Sequence, residues 1–282
     1  MFERISRSFE LVRASWGILM QDKKLLVFPV LSGIVTLLVI ISFILPLILT
    51  GQAAHMTTTT PGSIVLLFLF YVVSYFVVIF FNTGLISCVH ARIEGRAMTV
   101  GEGLAIAARH TGSILAWAVI AATVGLVLRM IQERSGLLGQ IAAGIAGGVW
   151  SLVTLFVVPV MVFEDKGVFV SMKESLGLFK KTWGESIAGS ISIGLVFAAV
   201  GVVGFLFVLA AFFTGNLSVL AVAVALFIVL IAVLAIVASA MNGIFVVALY
   251  TYARTGTVPA PYPGDLVRNA FIKKPEQRPG TI

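Results

Sequence analysis

The sequence predicts an all-α, polytopic membrane protein with six transmembrane helices, arranged as three parallel-repeat hairpins. Of its 282 residues 60% are hydrophobic and only 11% are charged, against about 45–50% and about 25% in soluble domains. Several apolar segments exceed the roughly 20 residues that a spanning helix needs. An amphipathic helical pattern also recurs before the hairpins. We therefore expect each hairpin to be preceded by a cytoplasmic amphipathic helix at the membrane interface.

The repeat is clearest in Val168–Gly184, where large apolar residues recur at alternating steps of three and four, as on one face of a helix. These residues are Phe169, Met172, Leu176, Phe179 and Trp183. The N-terminus repeats the pattern with Phe2, Ile5, Phe9, Val12 and Trp16. A weaker copy, in which alanine replaces the larger residues, carries Val100, Leu104 and Ala107. The pattern predicts interfacial helices over 2–16, 99–110 and 168–183.

The six predicted spans follow from the apolar runs, at 25–50, 63–89, 113–128, 137–163, 187–213 and 217–252. The third is short unless Arg109 and Arg129 extend outward, and we expect a turn over 129–135. The sixth is longer than a bilayer requires, so it must tilt or break, with Asn242–Gly243 as the expected break. Residues 256–282 form a basic cytoplasmic tail.

Positive charge is distributed very unevenly between the predicted loops. The even number of spans places both termini on one side, and that side carries all the flanking lysines and arginines except Arg129 and Arg134. Cytoplasmic loops are enriched in these residues, so we expect a cell-membrane protein with both termini in the cytoplasm. The net charge of +7 then favours anionic lipid headgroups, and not nucleic acid, as the partner. Parallel repeats imply a pseudo-symmetry axis along the membrane normal.

Four short motifs carry a family resemblance: Ser8–Trp16, Val158-Pro159-Val160 running into Glu164, Ser175–Gly184, and Ala253–Gly256. Over nearly the whole chain the sequence resembles a prokaryotic family of six-span membrane proteins catalogued as a domain of unknown function. It resembles more distantly the membrane domain attached to some glycerophosphodiester phosphodiesterases, without their catalytic domain. The resemblance implies the fold and brings no catalytic residues.

Three polar residues lie at depth in the even-numbered spans: Asn82, Thr154 and Asn242. They are candidates for a polar layer that lines a site. The alternative, which we favour, is interhelical hydrogen bonding worth on average about 0.6 kcal/mol. The spans hold no Asp, Glu, Lys, Arg or His away from their ends, which counts against proton relays and ion-coupled carriers.

The interfacial helices provide a second set of candidates, for contact with lipid headgroups. Tryptophan and basic side chains both suit this layer, and each basic residue contributes about 1 kcal/mol near an anionic surface. The candidates are Arg13, Trp16, Lys180, Lys181 and Trp183. The alternative is that these helices only stop and orient the hairpins; the two roles are compatible.

Nothing in the sequence indicates a metal, a cofactor or an enzyme. We expect no second ligand at i+3 or i+4 from His55, His90 or His110, and no nucleophile is paired with a base. A small-residue ridge on the fourth span, from Gly139 to Ser151, favours packing within a hairpin. A homo-oligomer or another membrane protein at this ridge is the alternative.

Two classes of function remain. The first is a non-enzymatic, lipid-contacting membrane protein that acts as a scaffold, an accessory subunit or a lipid-handling factor. The second is a passive permease or channel that uses the polar layer on the even-numbered spans. A cavity between the hairpins would favour the second class, and a solid bundle the first.

Overall fold

A computed structural model describes residues 13–51, 61–134 and 136–257, leaving the side chains of 134, 181–193 and 195 undescribed. Most of the first predicted interfacial helix (2–16), most of the predicted outer loop between the first two spans (51–62) and the predicted tail beyond residue 257 lie outside this part. Residues 13–21 are helical and lead into a short 3₁₀ turn, Lys23–Leu26.

The described chain is helical with no strand. Besides the helical residues 13–21, it contains α1 (Val27–Leu49), α2 (Pro61–Ile93), α3 (Val100–Arg109), α4 (Thr111–Arg134), α5 (Leu137–Val153), α6 (Val157–Phe163), α7 (Val168–Phe213) and α8 (Leu217–Thr255). Six segments of the described residues are long and apolar enough to cross a membrane. They are Lys23–Leu49, Pro61–Ile93, Thr111–Glu133, Leu137–Phe163, Val196–Phe213 and Leu217–Thr255. The chain is thus an all-α polytopic membrane protein.

The chain divides into two compact units, Lys23–Lys180 and Met1–Asp22 with Lys181–Ile282. In the first unit α2 is central, because it packs against α1, α3, α4 and α6. The large fully buried side chains of this unit gather where these helices meet, and include Phe28, Leu85, Ile86, Ile114, Phe156 and Met161. The candidate site lies in this core.

The hairpin of α4 and α5 packs through small residues and one tryptophan pair. Ala143 is buried, and a Cβ on Gly147 would lie 3.5 Å from Cδ1 of Leu128 on α4. Trp117 and Trp150 stack with their ring centroids 5.9 Å apart. This side of the predicted ridge therefore serves packing within the hairpin, as small residues let helix backbones approach closely.

In the second unit the later part of α7 packs against α8. A Cβ on Gly204 would lie 2.5 Å from Cδ2 of Leu230 and 3.1 Å from Cδ2 of Phe227, so this glycine marks their close approach. An apolar cleft of about 550 Å³ opens between the same two helices, beside Thr214 at the turn of the hairpin.

Three helices differ from the sequence-based expectation. α4 continues through Arg129 to Arg134, where we expected a turn; the Arg129–Glu133 ion pair at i,i+4 supports this extra helical turn. α8 is unbroken at Asn242–Gly243, and α7 runs continuously through Gly184. A glycine costs a helix only about 1 kcal/mol, whereas proline removes a hydrogen bond and clashes. The break occurs instead in the fourth span, ahead of Pro159.

Candidate functional site at the break in the fourth span

The fourth predicted span consists of two helices, α5 and α6, separated by residues 154–156. Pro159 explains the break, because it has no N–H to donate to Leu155 and its ring clashes with that carbonyl. The chain tightens here: the N–H of Leu155 bonds the Leu152 carbonyl and that of Val157 bonds the Thr154 carbonyl, both three residues back. Irregular backbone at membrane depth needs hydrogen-bond partners from the protein or from water.

Ser175 of α7 provides two such partners with one hydroxyl. Its Oγ donates to the Val153 carbonyl oxygen at 2.6 Å and accepts from the Phe156 N–H at 3.1 Å. The side chain is fully buried. The hydroxyl thus bridges the break, and without it the two backbone groups would lose this buried partner, at about 1–3 kcal/mol for each group left unsatisfied.

The buried face of the first turns of α7 holds two serines beside the apolar Val168 and Leu178, and other large apolar residues lie on the exposed side. Ser171, one turn before Ser175, is also buried, but its hydroxyl contacts the carbonyl oxygens of Gly167 (3.1 Å) and Lys166 (3.3 Å). Phe169 is 79% exposed and Leu176 is 37% exposed. The first turns of α7 therefore bury serines against the bundle and direct part of the predicted apolar stripe outward.

The connection between α6 and α7 is held by one lysine and two glutamates. The Lys166 ammonium lies 2.8 Å from the Glu164 carboxylate and 2.5 Å from that of Glu174 on α7. These hydrogen bonds, of which the one to Glu164 has the larger effect, hold the pKa of Lys166 above its usual value. Asp165 takes a positive φ of 49°, and its carboxylate lies 3.5 Å from Nε2 of His110. The connection thus restrains where α7 starts relative to α6.

A polar stripe on α2 leads to the same region. Thr83 and Ser87 are buried, and the ring of His90 stacks on Phe163 of α6 with centroids 4.1 Å apart. Ser87 donates to the Thr83 carbonyl oxygen at 2.8 Å. Thr83 Oγ1 and His90 Nδ1 are buried with no hydrogen-bond partner among the described atoms. Such unpartnered groups carry a free-energy penalty, so this stripe places two unsatisfied polar atoms in the core.

One expectation about histidines was wrong. Glu94 lies four residues after His90, at a spacing where we expected no ligand-type residue, and its Oε1 is 3.4 Å from His90 Nε2. Glu94 also pairs with Arg96, whose hydrogen bond is the main cause that lowers the pKa of this carboxyl. Among the described residues no group of three His, Cys, Asp or Glu side chains could hold a metal ion.

The middle helix that we predicted at the interface (99–110) corresponds to α3, whose buried face contacts protein. Thr99 and Glu102 form a capping box at its start, which satisfies two of the unpaired N–H groups of the first turn. Gly103 and Ala107 are buried. Phe28 and Cys88 both touch Gly103, since a Cβ on this glycine would lie 2.9 Å from the Phe28 ring and 2.7 Å from the Cys88 sulfur. Alanine and glycine suit a helix that lies directly on α2.

The three residues of the predicted polar layer are in different settings. Asn82 is half-buried on α2, and Asn242 is exposed on α8 in the other unit. Thr154 directly follows α5, with its hydroxyl 2.7 Å from the Trp150 carbonyl oxygen that it bonds. The buried hydroxyls at this depth belong instead to neighbours that we did not select, Thr83 and Ser175. A proline inside the span was the signal that could have drawn attention to this region.

The predicted headgroup residues are described only in part. Arg13 and Lys180 are exposed, and Trp16 is 44% exposed. The side chains of Lys181 and Trp183 lie outside the described set. Arg129, which we expected to extend outward at the end of the third span, donates to Glu133 at 2.7 Å and to the hydroxyl of Tyr71 at 3.3 Å, so protein groups hold it in place.

Fold and site together define a multi-pass helical membrane protein with one discontinuous span. The model of DUF6159, a family of unknown function, matches residues 61–260, and the chain belongs to this family. The match includes both helices of the broken span and the serine that bridges them. No curated protein and no solved structure matches the chain. The more distant resemblance to the membrane domain of glycerophosphodiester phosphodiesterases is therefore unsupported.

Proposed function

We propose that this is a non-enzymatic, lipid-contacting protein of the cell membrane, a scaffold, accessory or lipid-handling factor with both termini in the cytoplasm. One observation carries the proposal. The first turns of α7 combine exposed apolar side chains with exposed lysines, while Ser171 and Ser175 lie on the buried face with Val168 and Leu178. The exposed residues are Phe169, Val170, Lys173, Leu176 and Lys180.

The chemistry of this surface, hereafter the α7 surface, fits the cytoplasmic headgroup layer. An interfacial helix places its apolar side chains at the boundary of the acyl chains and its cations among the headgroups. Lysine suits this position because its aliphatic stem covers apolar surface while the ammonium reaches water. Lys173 and Lys180 together contribute about 2 kcal/mol near an anionic membrane, at about 1 kcal/mol each.

A passive permease or channel is the second candidate, and the broken span favours it. Discontinuous helices often form the substrate sites of transporters, and Thr83 adds an unpartnered hydroxyl to the same core. Against this, the hydroxyl of Ser175 already bonds the backbone on both sides of the break. We therefore rank it second.

An environment-sensitive dye on the α7 surface tests the first proposal. The full chain carries Phe169→Cys in a Cys88→Ala background, is labelled with a nitrobenzoxadiazole dye, and is placed in lipid nanodiscs. We expect blue-shifted emission and strong quenching by lipids brominated at shallow depth. A dye at Ala97→Cys, in the exposed loop before α3, is the matched control and should give water-like emission.

The role of charge is tested by Lys173→Glu with Lys180→Glu in the same labelled protein. Adding anionic lipid should increase quenching in the parent protein and not in the double variant, and high salt should remove the difference. Water-like emission from the dye at position 169 in every lipid would rule out lipid contact by the α7 surface.

A further inference from the structure

We propose that Ser175 couples the α7 surface to the break in the fourth span, so that a shift of α7 at the membrane opens the turn at 154–156. The inference rests on the proposed function, because it assigns a consequence to lipid contact by that surface. It concerns a conformational device inside one compact unit, since both the break and the first turns of α7 lie within Lys23–Lys180.

The coupling follows from which residues share one helix. Ser175 and Leu176 are neighbours on α7, with Ser175 fully buried and Leu176 partly exposed. A force on the exposed side therefore moves the buried hydroxyl as well. The two atoms bonded by that hydroxyl, the carbonyl oxygen of Val153 and the N–H of Phe156, lie on opposite sides of the break. A movement of α7 thus changes both bonds together.

The contacts at the start of α7 tie this end of the helix to α6. Lys166 contacts both Glu164 at the end of α6 and Glu174 on α7, so the start of α7 remains tied to α6 while the helix beyond it tilts. The hydroxyl of Ser171 bonds backbone at the start of its own helix. The hydroxyl of Ser175, by contrast, joins α7 to both sides of the turn.

The two states differ in what the backbone at the break bonds. With the bridge in place, the Val153 carbonyl and the Phe156 N–H are paired with the hydroxyl. When the bridge is lost, both groups lose the hydroxyl as a partner, and irregular backbone at membrane depth is tolerated only where it is buried in protein or lines a water-filled cavity. The open turn should therefore admit water. The proposed coupling converts lipid contact at the surface into hydration of the fourth span.

Amide hydrogen exchange of the full chain in nanodiscs tests this coupling. In the native protein, anionic lipid should raise exchange of the Phe156 amide by several-fold over zwitterionic lipid. In Ser175→Ala the amide should exchange on the order of tenfold faster in both lipids, as expected when a buried donor loses its partner, with no further response to anionic lipid. Ser171→Ala is the matched control, a buried serine of the same helix, and should respond like the native protein.

A second pair of variants keeps the test decisive if Ser175→Ala folds poorly. Ser175→Thr retains the hydroxyl and should keep the native response. Pro159→Ala allows a continuous helix, so adding Ser175→Ala to it should leave the exchange of Phe156 unchanged. An unchanged Phe156 exchange in native protein when anionic lipid is added, or a lipid response that persists in Ser175→Ala, would overturn the coupling.

The dye at position 169 distinguishes a failure of the proposed coupling from a failure of the proposed lipid contact. Lipid-quenched emission without an exchange response would exclude the coupling and leave lipid contact standing. Water-like emission without an exchange response would exclude both lipid contact by the α7 surface and the coupling. An exchange response that appears while the dye stays water-like would assign the opening to another lipid contact and would overturn the role given to the α7 surface.

Discussion

Gly84 of α2 and Gly103 of α3 lie at the closest approach of their helices: a Cβ on Gly103 would lie 2.8 Å from the Gly84 carbonyl oxygen. Phe28 fills the space beside them, since a Cβ on Gly84 would meet its ring at 2.6 Å. Neither glycine has room for a methyl group. The contact of α3 with α2 thus depends on the absence of two side chains.

Gly103→Ala should consequently destabilise the protein by about 1–3 kcal/mol, the usual cost of overpacking a tight core. The clash includes backbone, which cannot rotate away. Thermal unfolding in detergent measures the effect. Gly101→Ala is the control, because a Cβ there meets nothing within 4 Å; equal melting temperatures for the two variants would contradict this account of the helix contact.

Glu102 should make α3 less stable in acid. Hydrogen bonds from the N–H and then the hydroxyl of Thr99 hold the pKa of this carboxyl below its usual 4.5. A depressed folded-state pKa adds stability above the unfolded-state value, and this is lost as pH falls through the folded-state pKa. Glu102→Gln should remove that pH dependence. Hydrogen exchange of α3, with α4 of the same molecule as reference, should accelerate below about pH 4.5 in the native protein only.

Trp16 should sit at headgroup depth. A single-tryptophan form, with Trp117, Trp150 and Trp183 replaced by phenylalanine, should show blue-shifted emission that shallow brominated lipids quench. Trp16→Glu in the native protein should reduce stable insertion. Emission typical of water from the single-tryptophan form would place residue 16 outside the interface.

The charge asymmetry predicts the sidedness of the turn between α7 and α8. A cysteine at Asn216 should react with an impermeant thiol reagent in intact cells, as should one at Thr58 in the outer loop. A cysteine at Lys173 should not react until the membrane is permeabilised. Position 173 is suited to labelling because its side chain is exposed, whereas that of Ser171 on the same helix is fully buried. Protection at Asn216 with labelling at Lys173 would reverse the orientation.

The double change Asn82→Leu with Asn242→Leu separates the two hypotheses for the polar layer. Asn82 lies about 15 Å of helix from Arg92, at 1.5 Å per residue. If the amides only join helices, the change should lower the melting temperature slightly and leave reconstituted solute flux as it was. If they line a path, flux should be lost at nearly unchanged stability. Asn82→Gln with Asn242→Gln, which keeps both amides, is the control for size.

Much of the fold was predictable because its signals are local. A run such as 25–50, without an ionisable residue, has no stable place except the hydrocarbon. The family resemblance lay in contiguous motifs, one of which, Val158-Pro159-Val160, contains the proline of the break. The candidate site was less predictable. Ser171 and Ser175 are ordinary residues in the sequence, and only their burial distinguishes them.

The sequence by itself determined the all-α class and the number of membrane-crossing segments, because the length of an apolar run and its helical periodicity are properties of consecutive residues. The tertiary structure decided which face of each helix meets protein. The face of α7 with Ser171 and Ser175 turned out to be buried, while Phe169 stayed exposed. In a membrane both protein and lipid are apolar surroundings, so the hydrophobic effect does not determine which face of a helix contacts protein. Close packing and backbone hydrogen bonds determine it. Those depend on residues far apart in the chain, as with Ser175 and the break at 154–156.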